Sequence, residues 1–115
     1  NGAIVWEQSY GGTEFDTSRG ITKLENDYYA IAGSARSSDI DLTTNYGAND
    51  AWLILIDENG NLEFEKNVGG SDIDFANKTI GTAENEIIVV GSSLSNDGDI
   101  LVNKGNKDVL IFKMR

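Results

Sequence analysis

The densest oxygen chemistry in this sequence sits in two short acidic segments, Ser37-Ser38-Asp39-Ile40-Asp41 and Ser95-Asn96-Asp97-Gly98-Asp99. Side-chain oxygens at the first, third and fifth positions are the spacing with which a tight loop wraps a hard cation. Asp50 and Asp108 follow Gly47 and Gly105 and lie near enough in sequence to join them. The candidate metal ligands are therefore Ser37, Asp39, Asp41 and Asp50, with Ser95, Asp97, Asp99 and Asp108 as a second set. An all-oxygen set suits calcium better than a transition metal. Neither segment has the bidentate Glu or the full ligand order of an EF-hand. Asp and Ser also build turns by bonding nearby backbone amides with no ion present, so both readings stand and no cofactor is required.

A second set of positions is Gly11-Gly12-Thr13 to Asp16 and Gly69-Gly70-Ser71 to Asp74. Glycine pairs cradle phosphate where a helix N-terminus and a basic residue follow them. Here neither follows, and Asp16 and Asp74 would repel an anion, so Gly11, Gly12, Asp16, Gly69, Gly70 and Asp74 read as structural turns. Glu14 with Asp16, or Asp72 with Asp74, has the residue types of a glycosidase acid and base. No motif supplies a nucleophile or an oxyanion donor, and the expectation is a protein that is not an enzyme. Among the aromatics, Tyr46 lies in a loop and is the candidate for stacking on a sugar ring, although Lys104 stands at the matching place further on.

Composition narrows the remaining classes. The chain has 115 residues, enough for one ordinary domain. Without Cys or His it has no disulfide framework, no thiolate zinc site, and none of the commonest general base. A formal charge of −10 argues against nucleic acid or an anionic membrane as partner, since both need a positive footprint. The longest apolar run, Ala51 to Ile56, is too short to span a bilayer as a helix. The first residue is Asn1 rather than Met, which reads as a mature product or an excised piece.

The elements that must position these residues come twice. Shifting the chain by 58 positions lays Gly11-Gly12 on Gly69-Gly70, Asp16 on Asp74, Gly33-Ser34 on Gly91-Ser92 and Asp39 on Asp97 without a gap. Asp41 falls on Asp99, Asn45 on Asn103, Gly47 on Gly105 and Asp50 on Asp108. The domain is read as a single array, repeat 1 over 1–58 and repeat 2 over 59–115. Alternation predicts half-exposed strands over 3–10 and 62–68, and continuous apolar runs predict strands over 28–32, 51–56, 87–90 and 109–112. Gly33 and Gly91 are expected to stop two of those runs, and weaker strands are expected over 20–24 and 78–82. No stretch has a period of 3.6, so no helix is expected.

An aromatic strand, Gly-Gly-Thr/Ser-x-x-Asp, an apolar strand ending in Gly-Ser, an Asp-rich loop, Gly-x-x-Asp and a strand leading to Asn-Gly recur in order in each copy. This set resembles the β-propeller-type tandem repeats of secreted and cell-surface bacterial proteins. The resemblance implies an all-β fold of two four-stranded propeller-like blades, antiparallel meanders belonging to a larger or oligomeric propeller. It also implies a secreted or cell-surface location and a non-catalytic role in binding or adhesion. A free-standing sandwich of two four-stranded sheets is the alternative. The register adds an expectation of its own: the strand over 3–10 completes the last blade of another protomer, head to tail, or neighbouring repeats of a longer chain do so. A carbohydrate-binding lectin of the small repeated-propeller type, with a glycan as ligand, is the other functional reading.

Overall fold

The computed structural model describes all 115 residues, and every regular element in it is a strand. Seven strands run β1 (Asp16–Lys23), β2 (Tyr29–Ala35), β3 (Asp50–Ile56), β4 (Leu62–Val68), β5 (Asp74–Gly81), β6 (Ile87–Ser93) and β7 (Asp108–Met114). The hairpin turns share one design. Asp27, Gly60 and Asn85 take positive φ at the fourth turn position, where Asp, Asn and Gly tolerate the left-handed region best. In each turn a backbone bond returns to the residue three earlier, from Asp27 to Leu24, Gly60 to Asp57 and Asn85 to Thr82.

The strands form two antiparallel sheets, ordered β1-β2-β3-β4 and β5-β6-β7. Both are open meanders with free outer edges, and neither curls round or closes. This overturns the propeller expectation and the family resemblance that carried it. A propeller sets blades of four strands radially around a central channel. Here a four-stranded and a three-stranded sheet lie one on the other in an elongated body of 49 × 34 × 23 Å. The apolar runs misled because such a run does not require two covered faces: β2 and β3 have the second sheet on one side and Leu42 and Tyr10 on the other, whereas the outer side of β6 and β7 is bare.

Two further expectations change. Residues 3–10 form no strand, although 62–68, at the same place in the next repeat, form β4. Nor do the glycines end their strands: β2 runs through Gly33 to Ala35, and β6 through Gly91 to Ser93. Both are glycine for closeness. A Cβ at Gly33 would lie 1.8 Å from the Thr17 carbonyl oxygen, and one at Gly91 1.7 Å from that of Phe75. Each backbone is approached beside a register shift, between Ser18 and Gly20 in β1 and between Ala76 and Lys78 in β5.

The core lies between the sheets. Ala30, Ala32, Ala51 and Leu53 of the first sheet meet Ala76, Ile87 and Val89 of the second, with Leu110, Phe112 and Met114 packed against them. The other face of the first sheet gathers Ala35, Trp52, Ile54 and Ile56 with Leu42, and Tyr10 and Leu62 lean on that group. Repeat and sheet are out of phase by one strand: β4 is encoded by the second repeat and hydrogen-bonded into the first sheet. Between the sheets the backbone bond from the Asp74 amide to the Asn49 carbonyl, at 2.6 Å, belongs to a short parallel bridge.

Candidate functional site

Each Gly-Gly turn presents a row of consecutive backbone N–H groups, and each acidic loop supplies the oxygens that accept them. In the first repeat Gly11 N donates to Asp41 Oδ2 at 3.0 Å, Gly12 N to Asp16 Oδ2 at 2.8 Å, Thr13 N to Asp39 Oδ1 at 2.9 Å and Glu14 N to Ser37 Oγ at 2.9 Å. Ser37 Oγ–H donates onward to Asp16 Oδ2 at 2.6 Å. The second repeat copies this bond for bond. Gly69 N meets Asp99 Oδ2 at 3.3 Å, Gly70 N meets Asp74 Oδ2 at 2.9 Å, Ser71 N meets Asp97 Oδ1 at 2.7 Å and Asp72 N meets Ser95 Oγ at 3.0 Å. Ser95 Oγ–H donates to Asp74 Oδ2 at 2.8 Å. A row of amides of this kind is an anion cradle, and the protein fills it with its own carboxylates.

The carboxyl groups register this use. Burial pushes Asp16 upward, but hydrogen bonds from the Ser37 hydroxyl and the Gly12, Ser37 and Arg36 amides outweigh it and hold the group below the usual carboxylate range. Asp97 is held low by the amide and then the hydroxyl of Ser71.

The remaining candidate ligands act one loop further on. Asp50 Oδ2 accepts the Tyr46 amide at 2.7 Å, and Asp108 Oδ2 accepts the Lys104 amide. Asn45 and Asn103 brace the same loops, each accepting the amide two residues on and donating to the carbonyl of Ser37 or Ser95. The structure therefore brings Ser37, Asp39 and Asp41 together with Asp16 and leaves Asp50 in a separate cluster. No group of three or more Asp or Glu side chains is arranged so that it could hold a metal ion. In the calcium reading, Asp39 and Asp41 would have to share oxygens that already face amides, and no role is assigned to an ion here. Tyr46 has an exposed ring beside its clamped amide, while Asp16 and Asp74, from the suggested acid–base pairs, are engaged in the turns.

Asp50 departs from this pattern of satisfied groups. It is wholly buried, its Oδ1 has no hydrogen-bond partner, and neither has Oδ1 of the buried Asn67, whose amide donates to Asp50 Oδ2 at 3.3 Å. Burial pushes the Asp50 carboxyl up, and the charges of Asp74 and Asp99 push the same way, against the donors Tyr46 and Asn67. This cluster lies where the repeats meet: a Cβ at Gly69 would come within 2.7 Å of both Asp50 Oδ1 and Asp74 Oδ2.

Sequence reasoning did not single out the residues that stitch β4 to the first repeat. Thr43 donates through its amide to Glu65 Oε1 at 3.2 Å, and Asn67 donates to the Thr44 carbonyl at 2.6 Å. The fit of Glu7 on Glu65 was the available signal, but the residue it reaches is known only from the fold.

The four sheet edges differ in how they are guarded. β1 and β5 carry register shifts and β4 carries Glu63, Glu65 and Lys66, devices that discourage pairing with another chain. β7, Asp-Val-Leu-Ile-Phe-Lys-Met, pairs with β6 in unbroken register and has nothing on its other side. No protein-family model matches the chain, and no curated protein matches it.

Proposed function

We propose that this chain is a non-catalytic structural and binding module of secreted or cell-surface type whose working surface is the free edge of β7. Its partner is a strand equivalent to β4, supplied by residues 3–10 of another copy or by a neighbouring repeat of a longer chain. One observation carries the reading. β4 fills the edge of β3, while the counterpart of β3 is bare and the counterpart of β4 lies unpaired. An edge in unbroken register, apolar from Val109 to Phe112 and with its main-chain groups free, is a template for strand addition. The engagement of the acidic side chains in holding turns supports a structural use of residues whose types alone suggest chemistry.

The register follows from the β3–β4 ladder. Leu53 faces Lys66 and Ile54 faces Glu65, so Ile111 is to face Gln8 and Phe112 to face Glu7. The protein has no native cysteine, which makes the test clean. The variant Gln8→Cys/Ile111→Cys, oxidised mildly, is expected to form intermolecular disulfides far faster than Gln8→Cys/Lys78→Cys, whose second position lies on β5. Equal rates for the two variants would sink the strand-addition reading.

A further inference from the structure

The second sheet is apolar on both faces, and only one is covered. On the outer face the ladder sets Ile80 opposite Ile88 and Val90 opposite Ile111, with Val109 one step along. Ile80 is 54% exposed, Ile111 63% and Val109 83%. Lys78, opposite Val90, and Lys113, opposite Ile88, flank this group on the same face, and an apolar patch left bare among charged residues in this way marks an interaction surface.

The same interface already exists once inside the chain. The places of Ile88, Val90, Val109 and Ile111 in the first sheet are held by Ala30, Ala32, Ala51 and Leu53, and these receive the second sheet. The residues that dock there, Ile87, Val89 and Phe112, have Tyr29, Ile31 and Ile54 as counterparts. Those three lie on the face of the first sheet turned away from the second. Each sheet thus has a receiving face and a docking face, and folding satisfies one of each.

We propose that the outer face of β5–β7 receives the Ile21–Ile31–Ile54 face of a second copy of this chain, in a heterologous head-to-tail contact. The partner is the one named by the strand-addition reading, on which the choice of occupant rests. Residues 6–10 now lie along that docking face. Trp6 Nε1 donates to the Glu58 carbonyl at 3.1 Å, Tyr10 Oη to the Gly60 carbonyl at 2.7 Å, and Tyr10 packs on the Trp52 cluster. The segment that would add to β7 therefore covers the surface that its departure exposes. Ile88, Val90 and Val109 replace three alanines, so two copies stand further apart than the two sheets of one chain. Each copy carries −10, so repulsion opposes contact at low salt and screening favours it.

The test is sedimentation of the full chain from micromolar to millimolar concentration at low and high ionic strength. The expected result is a mass that rises with concentration and with salt. Ile80→Glu and Ile21→Glu each place a charge in the contact and are expected to weaken association about a hundred-fold or more. An equal mixture of the two variants is expected to stop at dimers, because each keeps one intact face. Both positions are exposed, and thermal melting by circular dichroism confirms that the variants fold. Ile80 lies on β5, two strands from the β7 edge, so strand addition alone is indifferent to it. A wild-type chain that is monomeric at millimolar concentration overturns the proposal and leaves the face to a different protein. Association undiminished in Ile80→Glu overturns face docking while leaving strand addition standing. If the Gln8–Ile111 disulfide fails but Ile80→Glu still abolishes association, strand addition falls alone.

Discussion

β3 and β7 are one strand in two settings. Both open with an Asp clamped to the amide four residues before it, and both pair with their preceding strand in the same register, Ala51 opposite Ser34 and Val109 opposite Ser92. β3 has a strand on either side and side chains packed on both faces, and Leu53 is fully buried. β7 has one neighbour and one covered face, and Ile111 at the place of Leu53 is largely in solvent. The two strands are close in apolar content, so the difference lies in what stands next to each. Burial here is a property of neighbours supplied, and β7 is β3 with its neighbours missing.

The sharpest way to break this comparison is to truncate both side chains. Leu53→Ala opens a cavity in the shared core and is expected to cost about 2–5 kcal/mol. Ile111→Ala in the dilute protein should stay within about 0.5 kcal/mol of wild type. Urea unfolding measures both, and a large loss at Ile111 would mean that its face is covered in solution.

The clamped turns give a middle-sized effect. Asp74 is fully buried and accepts from Gly70 N, Ser95 Oγ and Ser93 Oγ, so Asp74→Ala strands several donors and is expected to cost about 2–3 kcal/mol. Asp16→Ala, in the more open copy of the turn, should cost less in the same titration. Acid should reveal the difference in kind between Asp16 and Asp50. Stability owed to the lowered Asp16 is present above the ordinary carboxylate range and lost as pH falls through its depressed value.

The smallest effect is a gain. Asp50 is raised, so its contribution is greatest below the ordinary carboxylate value and declines as pH rises through the raised one. Asp50→Asn keeps an acceptor for Tyr46 and removes the buried charge; it is expected to add about 1 kcal/mol at neutral pH and to abolish that decline. Asp108→Asn, at the less buried end, should change little. Thermal melts of the two variants across acid and neutral pH check the contrast.

Much of this molecule was legible before folding. The patterning placed all seven strands within a few residues and predicted no helix, because those signals are local. Each Gly-Gly pair meets its Asp at short range, Gly12 with Asp16 and Gly70 with Asp74, a contact within reach of local sequence. What was not legible depends on partners distant in sequence. Residues 3–10 alternate as 62–68 do, but a strand exists only where an edge accepts its amides, and only the second segment meets one. The apolar runs were read as propeller blades covered on both faces, and nothing local in them says how many sheets stack or whether they close. The acidic loops showed oxygens at ligand spacing; which amides they face was decided by a loop some two dozen residues away, as between Asp39 and Thr13.

The one-strand offset between repeat and sheet has a consequence for how the molecule comes apart. A protease cutting in the Asp57–Gly60 turn would separate the duplicated units in the covalent sense, yet β4 would stay laddered to β3 and carry the second sheet with it. Neither half could leave without tearing a full strand pairing, so the nicked protein should hold together and melt in one transition. The unit that was duplicated is not the unit that folds, and that mismatch holds the copies together even where the peptide bond between them is cut.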